Sequence, residues 1–188
     1  MRVIAGTAGG HPLAAPRGQA TRPTSDRVRE ALFAILGPPP PNARVLDLFA
    51  GAGTLGIEAL SRGAVQATFV DSARAAVTCI RQNLAGVKMA DRADVLQMPV
   101  HRFAQRLARA PGQSRHHWIF VDPPYAAGAD DALILLGQAP VLAIDGTLVV
   151  EHDRRSPPEQ QYGFLAKFDT RRYGDTELAF YRTNPDAR

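Results

Sequence analysis

From residue 44 to residue 151 the chain alternates short apolar runs with helical patterns, and this alternation restricts the fold more than any other feature. Apolar strands read at residues 44–49, 67–70, 93–97, 118–121 and 146–151. Helices are predicted between them over residues 54–62, 73–84, 100–109 and 129–139. Strand–helix–strand alternation of this kind builds a parallel sheet with helices on both faces. The tail departs from it: residues 164–170 and 177–182 flank Tyr173-Gly174-Asp175, which predicts an antiparallel hairpin. The expected class is α/β, a doubly wound, Rossmann-like sheet that is mostly parallel and ends in an antiparallel hairpin. Ligands of such sheets sit at the carboxyl ends of the strands.

Four prolines at 38–41 cannot continue a helix and form a stiff connector ahead of that core. Before them, residues 2–18 hold two short extended stretches around the turn dipeptide Gly9-Gly10, which predicts a β-hairpin. Thr24 or Ser25 then caps a helix running to Leu36, with Val28, Ala31, Leu32 and Ile35 as its apolar face. Arg27 and Arg29 lie off that stripe, towards solvent or a partner. At 188 residues the simplest organisation is one domain over 1–188. It would comprise a hairpin extension (1–20), a helix (21–37) and a catalytic core (42–183).

Hydrophobic residues at 45% and charged residues at 21% exclude a disordered chain. The net charge is +4 and the pI about 9.7. Only Lys88 and Lys167 are lysines; the rest of the 22 basic residues are arginine. Arginine suits phosphate and stacked bases, although a GC-rich genome gives the same bias. The lone Cys79 excludes an internal disulfide or a cysteine metal cluster, and is expected in a helix core. No apolar run reaches membrane-spanning length and the start has no long apolar segment, so a cytoplasmic location is expected.

Two segments carry chemistry. The first is Gly51-Ala52-Gly53-Thr54-Leu55-Gly56, a G-x-G-x-x-G loop that follows a strand and opens a helix, with Asp71 20 residues after Gly51. Alone it would fit NAD. A dinucleotide, however, lays a pyrophosphate over the loop, and Asp47 precedes it in Asp47-Leu48-Phe49-Ala50. S-adenosylmethionine has no phosphate and is positively charged, so it tolerates that carboxylate. Asp47 either contacts such a cofactor or braces the strand end. Asp71 either accepts from two ribose hydroxyls or caps the helix after Ser72. Asp94 either accepts from the adenine amine or is merely solvated.

The second segment is Asp122-Pro123-Pro124-Tyr125, directly after the strand Trp118-Ile119-Phe120-Val121. An exocyclic base amine is a poor nucleophile because its lone pair is delocalised into the ring. The Asp122 carboxylate and the Pro123 carbonyl can hold both its N–H groups, which favours a more pyramidal nitrogen in line with a methyl donor. Tyr125, beside Pro124, would stack on a base taken out of its helix or loop. The alternative is a tight turn with an incidental aromatic. Together the two segments read as a nucleobase amine methyltransferase.

The chain also resembles a known family, the bacterial 16S ribosomal RNA guanine-N2 methyltransferases that modify guanine 966 of the small subunit. The likeness begins at Arg2-Val3-Ile4-Ala5-Gly6 and Gly9-Gly10 and runs through Arg22-Pro23-Thr24-Ser25-Asp26-Arg27-Val28-Arg29-Glu30-Ala31-Leu32-Phe33. It continues in Leu46 to Gly53, Gly56-Ile57-Glu58-Ala59-Leu60-Ser61-Arg62-Gly63-Ala64, Asp122 to Tyr125 and Tyr173-Gly174-Asp175-Thr176. Ala5 stands where the family often has glycine, and the stretch from Asp91 to Gln97 departs from its pattern. The resemblance implies S-adenosylmethionine as cofactor, with contacts from Arg22, Thr24, Asp47, Phe49, Gly51, Gly53, Asp71 and Ser72; Asp94 is a cofactor candidate from its strand position alone. Asp122, Pro123 and Tyr125 are the expected catalytic residues, with Pro124, Tyr125, Arg27 and Arg29 expected on the substrate. The implied substrate is 16S rRNA within the 30S subunit.

A chain of this length has no room for a separate recognition domain, so specificity rests on the N-terminal parts, surface arginines and the shape of a folded RNA. A monomer is expected because no long exposed apolar stripe is evident. A DNA adenine-N6 methyltransferase is the nearest alternative, and an NAD-dependent dehydrogenase a more distant one. His116-His117 reads as a surface turn, Trp118 as core, and Glu151 as either a cavity residue or a solvated strand end.

Overall fold

Ser25 opens the first helix. Its hydroxyl accepts the Val28 N–H at 3.3 Å and caps α1 (Asp26–Leu36), and Gly37 at φ 72° closes it ahead of the prolines. The computed structural model describes residues 1–16, 25–109, 115–124 and 129–184. The chain divides into two units, Met1–Met98 and Pro99–Arg188. Each unit carries its own run of strands: those of the first are parallel, and those of the second pass from a parallel pair to three antiparallel strands.

The first unit holds α1, β1 (Arg44–Leu48), α2 (Thr54–Ser61), β2 (Gln66–Asp71), α3 (Arg74–Gly86), a 3-10 turn (Ala90–Arg92) and β3 (Ala93–Gln97). Its strands are parallel in the order β3-β2-β1. β1 is buried on both faces after Arg44, as the continuous apolar run Val45-Leu46 and Leu48 requires. Leu46, Leu48, Ile57, Leu60, Phe69 and Ile80 form the centre of this core.

Two expectations for this unit are corrected. The apolar face of α1 is Val28, Leu32 and Phe33, joined by Arg29, while Ile35 is exposed. Residue 29 stands three and four positions before Leu32 and Phe33, so the helical period turns it inward with them. Arg29 is fully buried rather than facing solvent, and its Nη2 donates to the Arg2 carbonyl (2.6 Å) and to Asp26 Oδ1 (2.7 Å). The N-terminal hairpin is present as a short arm: Arg2 bridges Pro12 antiparallel, and the N–H groups of Val3, Gly10 and Leu13 donate across it to His11, Val3 and Met1. Side chains of α2 satisfy further backbone groups of the arm: Glu58 accepts from Ile4 and Ala5, and the Ser61 hydroxyl accepts from Ala8.

The second unit holds α4 (Val100–Arg109), β4 (His116–Val121), α5 (Asp130–Leu136), β5 (Leu142–Asp153), β6 (Gln161–Tyr162), β7 (Leu165–Tyr173) and β8 (Thr176–Thr183), with strand order β4-β5-β8-β7-β6. β5 runs parallel to β4, and β8 and β7 follow antiparallel, joined at Gly174 (φ 66°). The predicted C-terminal hairpin is present, and Trp118, Phe120, Phe180 and Tyr181 are buried. His116 and His117 do not form a surface turn. They begin β4, and His116 is buried. The two-residue β6 carries too short a pattern to be read from the sequence. Among the described residues no helix is long and apolar enough to cross a membrane.

Candidate functional site

In the first unit, the glycine loop leaves β1 through Phe49, a non-glycine residue at φ 57°, and turns at Gly51 (φ 55°) and Gly53 (φ 77°) into α2. A β-carbon on Gly56 would lie 2.3 Å from the buried Phe69 ring. The third glycine of the motif is therefore fixed by helix–strand packing.

Both acidic residues of this region are engaged with backbone. Asp71, at the carboxyl end of β2, accepts the Gly51 N–H at 2.9 Å and the Ala73 N–H at 2.8 Å. It thus ties the loop to the strand and fixes the turn at Ala73 that leads into α3, and its half-exposed carboxylate keeps further lone pairs for hydroxyl donors. Asp47 is buried and accepts the Gly56 N–H at 2.9 Å. Burial pushes its carboxyl up to about 7, against that hydrogen bond and with a smaller push from the Asp71 charge. The bracing role is therefore present. So is a field of two carboxylates around the loop, which a cation would relieve. The Gly51 and Gly56 N–H groups that a pyrophosphate would use already serve carboxylates. This donor set fits the positively charged S-adenosylmethionine and not a dinucleotide.

Ser72 is exposed just beyond Asp71. Asp94 is not brought to this end of the sheet. It pairs in register with Thr68, is exposed, and accepts from Gln66 Nε2 at 2.7 Å. The residue level with Asp71 is Gln97, and the Met98 N–H donates to the Asp71 carbonyl at 3.0 Å. The parallel register decides this, and no side-chain pattern in the sequence announces it. Arg22, Pro23 and Thr24 lie outside the described residues. Arg27 is exposed on α1.

In the second unit, β4 ends at buried Val121 and delivers Asp122 and Pro123, both half-buried, and exposed Pro124. Val121 pairs with Val150, so Asp122 and Glu151 come next on neighbouring parallel strands. Both line a cavity of about 310 Å³, together with Pro123, Asp130 and His152. Asp130 is held by a short hydrogen bond from the Tyr162 hydroxyl, which itself accepts the Glu159 N–H at 2.8 Å. Burial, followed by that contact with Asp130, raises the Tyr162 phenol and keeps it a donor. His152 is buried; its Nδ1 lies 3.0 Å from the Asp153 carbonyl, and its Nε2 has no protein partner. Asp153 is paired with Arg155. Glu151 is thus a cavity residue, while Asp130, Tyr162 and His152 carried no motif that sequence reasoning could use. Tyr125 lies outside the described residues. Among those described, no cluster of three or more His, Cys, Asp or Glu could hold a metal.

The family model described as "Conserved hypothetical protein 95" matches residues 1–182. The chain is 39% identical over 183 residues to "Putative rRNA methyltransferase YlbH" of Bacillus subtilis (strain 168), covering 97% of this chain and 98% of that one. It is 37% identical over 154 residues to "Ribosomal RNA small subunit methyltransferase D" of Escherichia coli (strain K12), covering 81% and 75% of the two. Its structure is similar to that of the E. coli protein titled "Putative methyltransferase yhhF", with a TM-score of 0.80, 33% identity and 98% of each chain covered. The chain therefore belongs to the Conserved hypothetical protein 95 family, with homologues that carry the names of ribosomal RNA methyltransferases.

Proposed function

We propose that this protein transfers a methyl group from S-adenosylmethionine to the exocyclic N2 amine of a guanine in 16S ribosomal RNA, guanine 966, in the 30S subunit. The two units act as one methyltransferase domain, the first holding the cofactor and the second the target amine. The names of the homologues support an rRNA substrate. The observation that carries the reading is the cavity beside Asp122 and Pro123, whose lining supplies the Asp122 and Glu151 carboxylates. Acceptors grouped in this way suit the guanine edge, where the N2 amine and the N1–H are adjacent donors. Adenine offers its amine beside an acceptor nitrogen, which the carboxylates would repel. This favours guanine over the DNA adenine alternative.

The bound cofactor supplies an electrophilic methyl. Gly51 and Gly53 let the backbone approach it closely, Phe49 and Ser72 flank it, and Asp71 accepts from its ribose hydroxyls. Asp47 contributes negative field through the loop, and Arg22 and Thr24 complete the contacts. Gln97 takes the position for the adenine edge in place of Asp94. Asp122 and the Pro123 carbonyl would hold the two N–H groups of the target amine, which favours a pyramidal, more nucleophilic nitrogen. With the cofactor bound, its methyl would pass from sulfur to the nitrogen, leaving S-adenosylhomocysteine, and the amine proton would go to Asp122 or to water. Pro124 and Tyr125 cover the base, and Arg27 meets the RNA. Arg29, buried in α1, shapes this surface only indirectly.

The test is label transfer from radioactive S-adenosylmethionine to small subunits lacking the modification, to free 16S rRNA and to duplex DNA. Label in one 16S guanine is the expected result. Label in DNA adenine would overturn the reading.

A further inference from the structure

The side chain of Asn83, on α3, spends its polar atoms on two distant stretches of backbone. Its Oδ1 accepts the Ala14 N–H at 2.8 Å, and its Nδ2 donates to the Ala14 carbonyl at 3.1 Å and to the Ala52 carbonyl at 2.9 Å. The amide thus pairs with Ala14 as a neighbouring strand would and, from the same atom, holds the peptide between Gly51 and Gly53. The Asn83 side chain and its bond to the Ala52 carbonyl are buried, which strengthens that bond, while Ala14 at the other end is exposed. Cys79, one turn earlier, adds an Sγ donor to the Ala14 carbonyl at 3.3 Å. The other end of the arm is fixed to α2, the helix that the loop opens. Glu58 accepts from Ile4 and Ala5, the Ser61 carbonyl accepts the Thr7 N–H, and the Ser61 hydroxyl donates to Ala5. The arm is therefore anchored on both helices that flank the glycine loop.

We propose that Asn83 is a positioning residue for the cofactor, coupling the docked N-terminal arm to the glycine loop so that arm docking and cofactor binding stabilise one another. An amide is the side chain that fits: one acceptor and two donors lie in one plane. Aspartate would lose both donors and place a charge beside two carbonyls. Coupling follows because the Ala52 carbonyl and Ala14 share one rigid partner. Whatever fixes the loop fixes the amide that holds the arm, and release of the arm frees the amide to leave the loop.

This rests on the loop binding S-adenosylmethionine, and the experiment separates the two claims. Binding of S-adenosylhomocysteine is measured by calorimetry for the wild type, Asn83→Ala and Leu13→Ala, with melting temperature and amide exchange at Ala14 recorded alongside. Leu13 is buried in the arm, so its truncation loosens the arm without touching the amide. Coupling is expected to protect the Ala14 amide further when ligand is added to the wild type. It also weakens binding about tenfold in Asn83→Ala, the scale of one buried hydrogen bond, and measurably in Leu13→Ala. Unchanged affinity in both variants, with only a lower melting temperature, would overturn the coupling. If Asn83→Ala does not fold, Leu13→Ala decides alone. A wild type that binds no S-adenosylhomocysteine would instead overturn the methyltransferase reading.

Discussion

Asp47 shows how one residue can serve the loop and still bear on the cofactor. Its folded carboxyl, raised to about 7 by burial, holds its proton more tightly than in the unfolded chain. The stability it contributes is therefore complete below about pH 4, its ordinary range, and is lost as pH rises through 7. Asp47→Asn keeps an acceptor for the Gly56 N–H and removes the charge. Thermal melts should show the variant more stable than the wild type at pH 8, by at most about 4 kcal/mol for a shift of some three units, and equal to it at pH 4. A variant destabilised at pH 8 would mean that the ionised carboxylate is needed for the fold. Asp122 carries a different kind of role, at the wall of the cavity that would receive the target amine. Asp122→Ala should lower methyl transfer by about 100-fold or more, the scale of a positioned acid–base group, and leave cofactor affinity within twofold of wild type. Calorimetry beside the transfer assay separates the two effects.

At the scale of elements, the helix–strand contact between α2 and β2 is the tightest requirement near the loop. A methyl on Gly56 meets a buried phenyl ring that has nowhere to go. Gly56→Ala should cost about 1–3 kcal/mol by overpacking, read from urea unfolding, and reduce cofactor binding with it. Most elements were legible in the sequence because each carries its own period. β1, β2 and β4 each hold a short buried apolar run, and Ser25 and Gly37 punctuate α1. What escaped depends on partners far along the chain. Arg29 reads as a surface cation beside Arg27 until its helix meets Arg2, whose carbonyl it satisfies. Asp94 reads as a ligand residue because it is acidic and in a strand. Parallel register sets it level with Thr68 and gives the end of the strand to Gln97. Asn83 and Tyr162 sit in no motif, and only the fold shows what their side chains hold.

For the whole molecule, the proposed substrate is a folded RNA. The chain carries 22 basic residues, all but two of them arginine. Contacts spread over several elements recognise a folded RNA better than a short strand. Methylation of small subunits should therefore exceed that of a short RNA hairpin carrying the target sequence by about tenfold or more, since each lost phosphate or base contact is worth roughly a kcal/mol. Equal turnover on both would place all recognition in the cavity beside Asp122. The most direct measurement is of the product itself. Small subunits lacking the modification are incubated with S-adenosylmethionine and either the wild type or Asp122→Ala, and the 16S rRNA is digested to nucleosides for mass spectrometry. N2-methylguanosine formed by the wild type and absent with the variant is the expected result. A different methylated nucleoside, or the same yield from Asp122→Ala, would contradict the proposed chemistry.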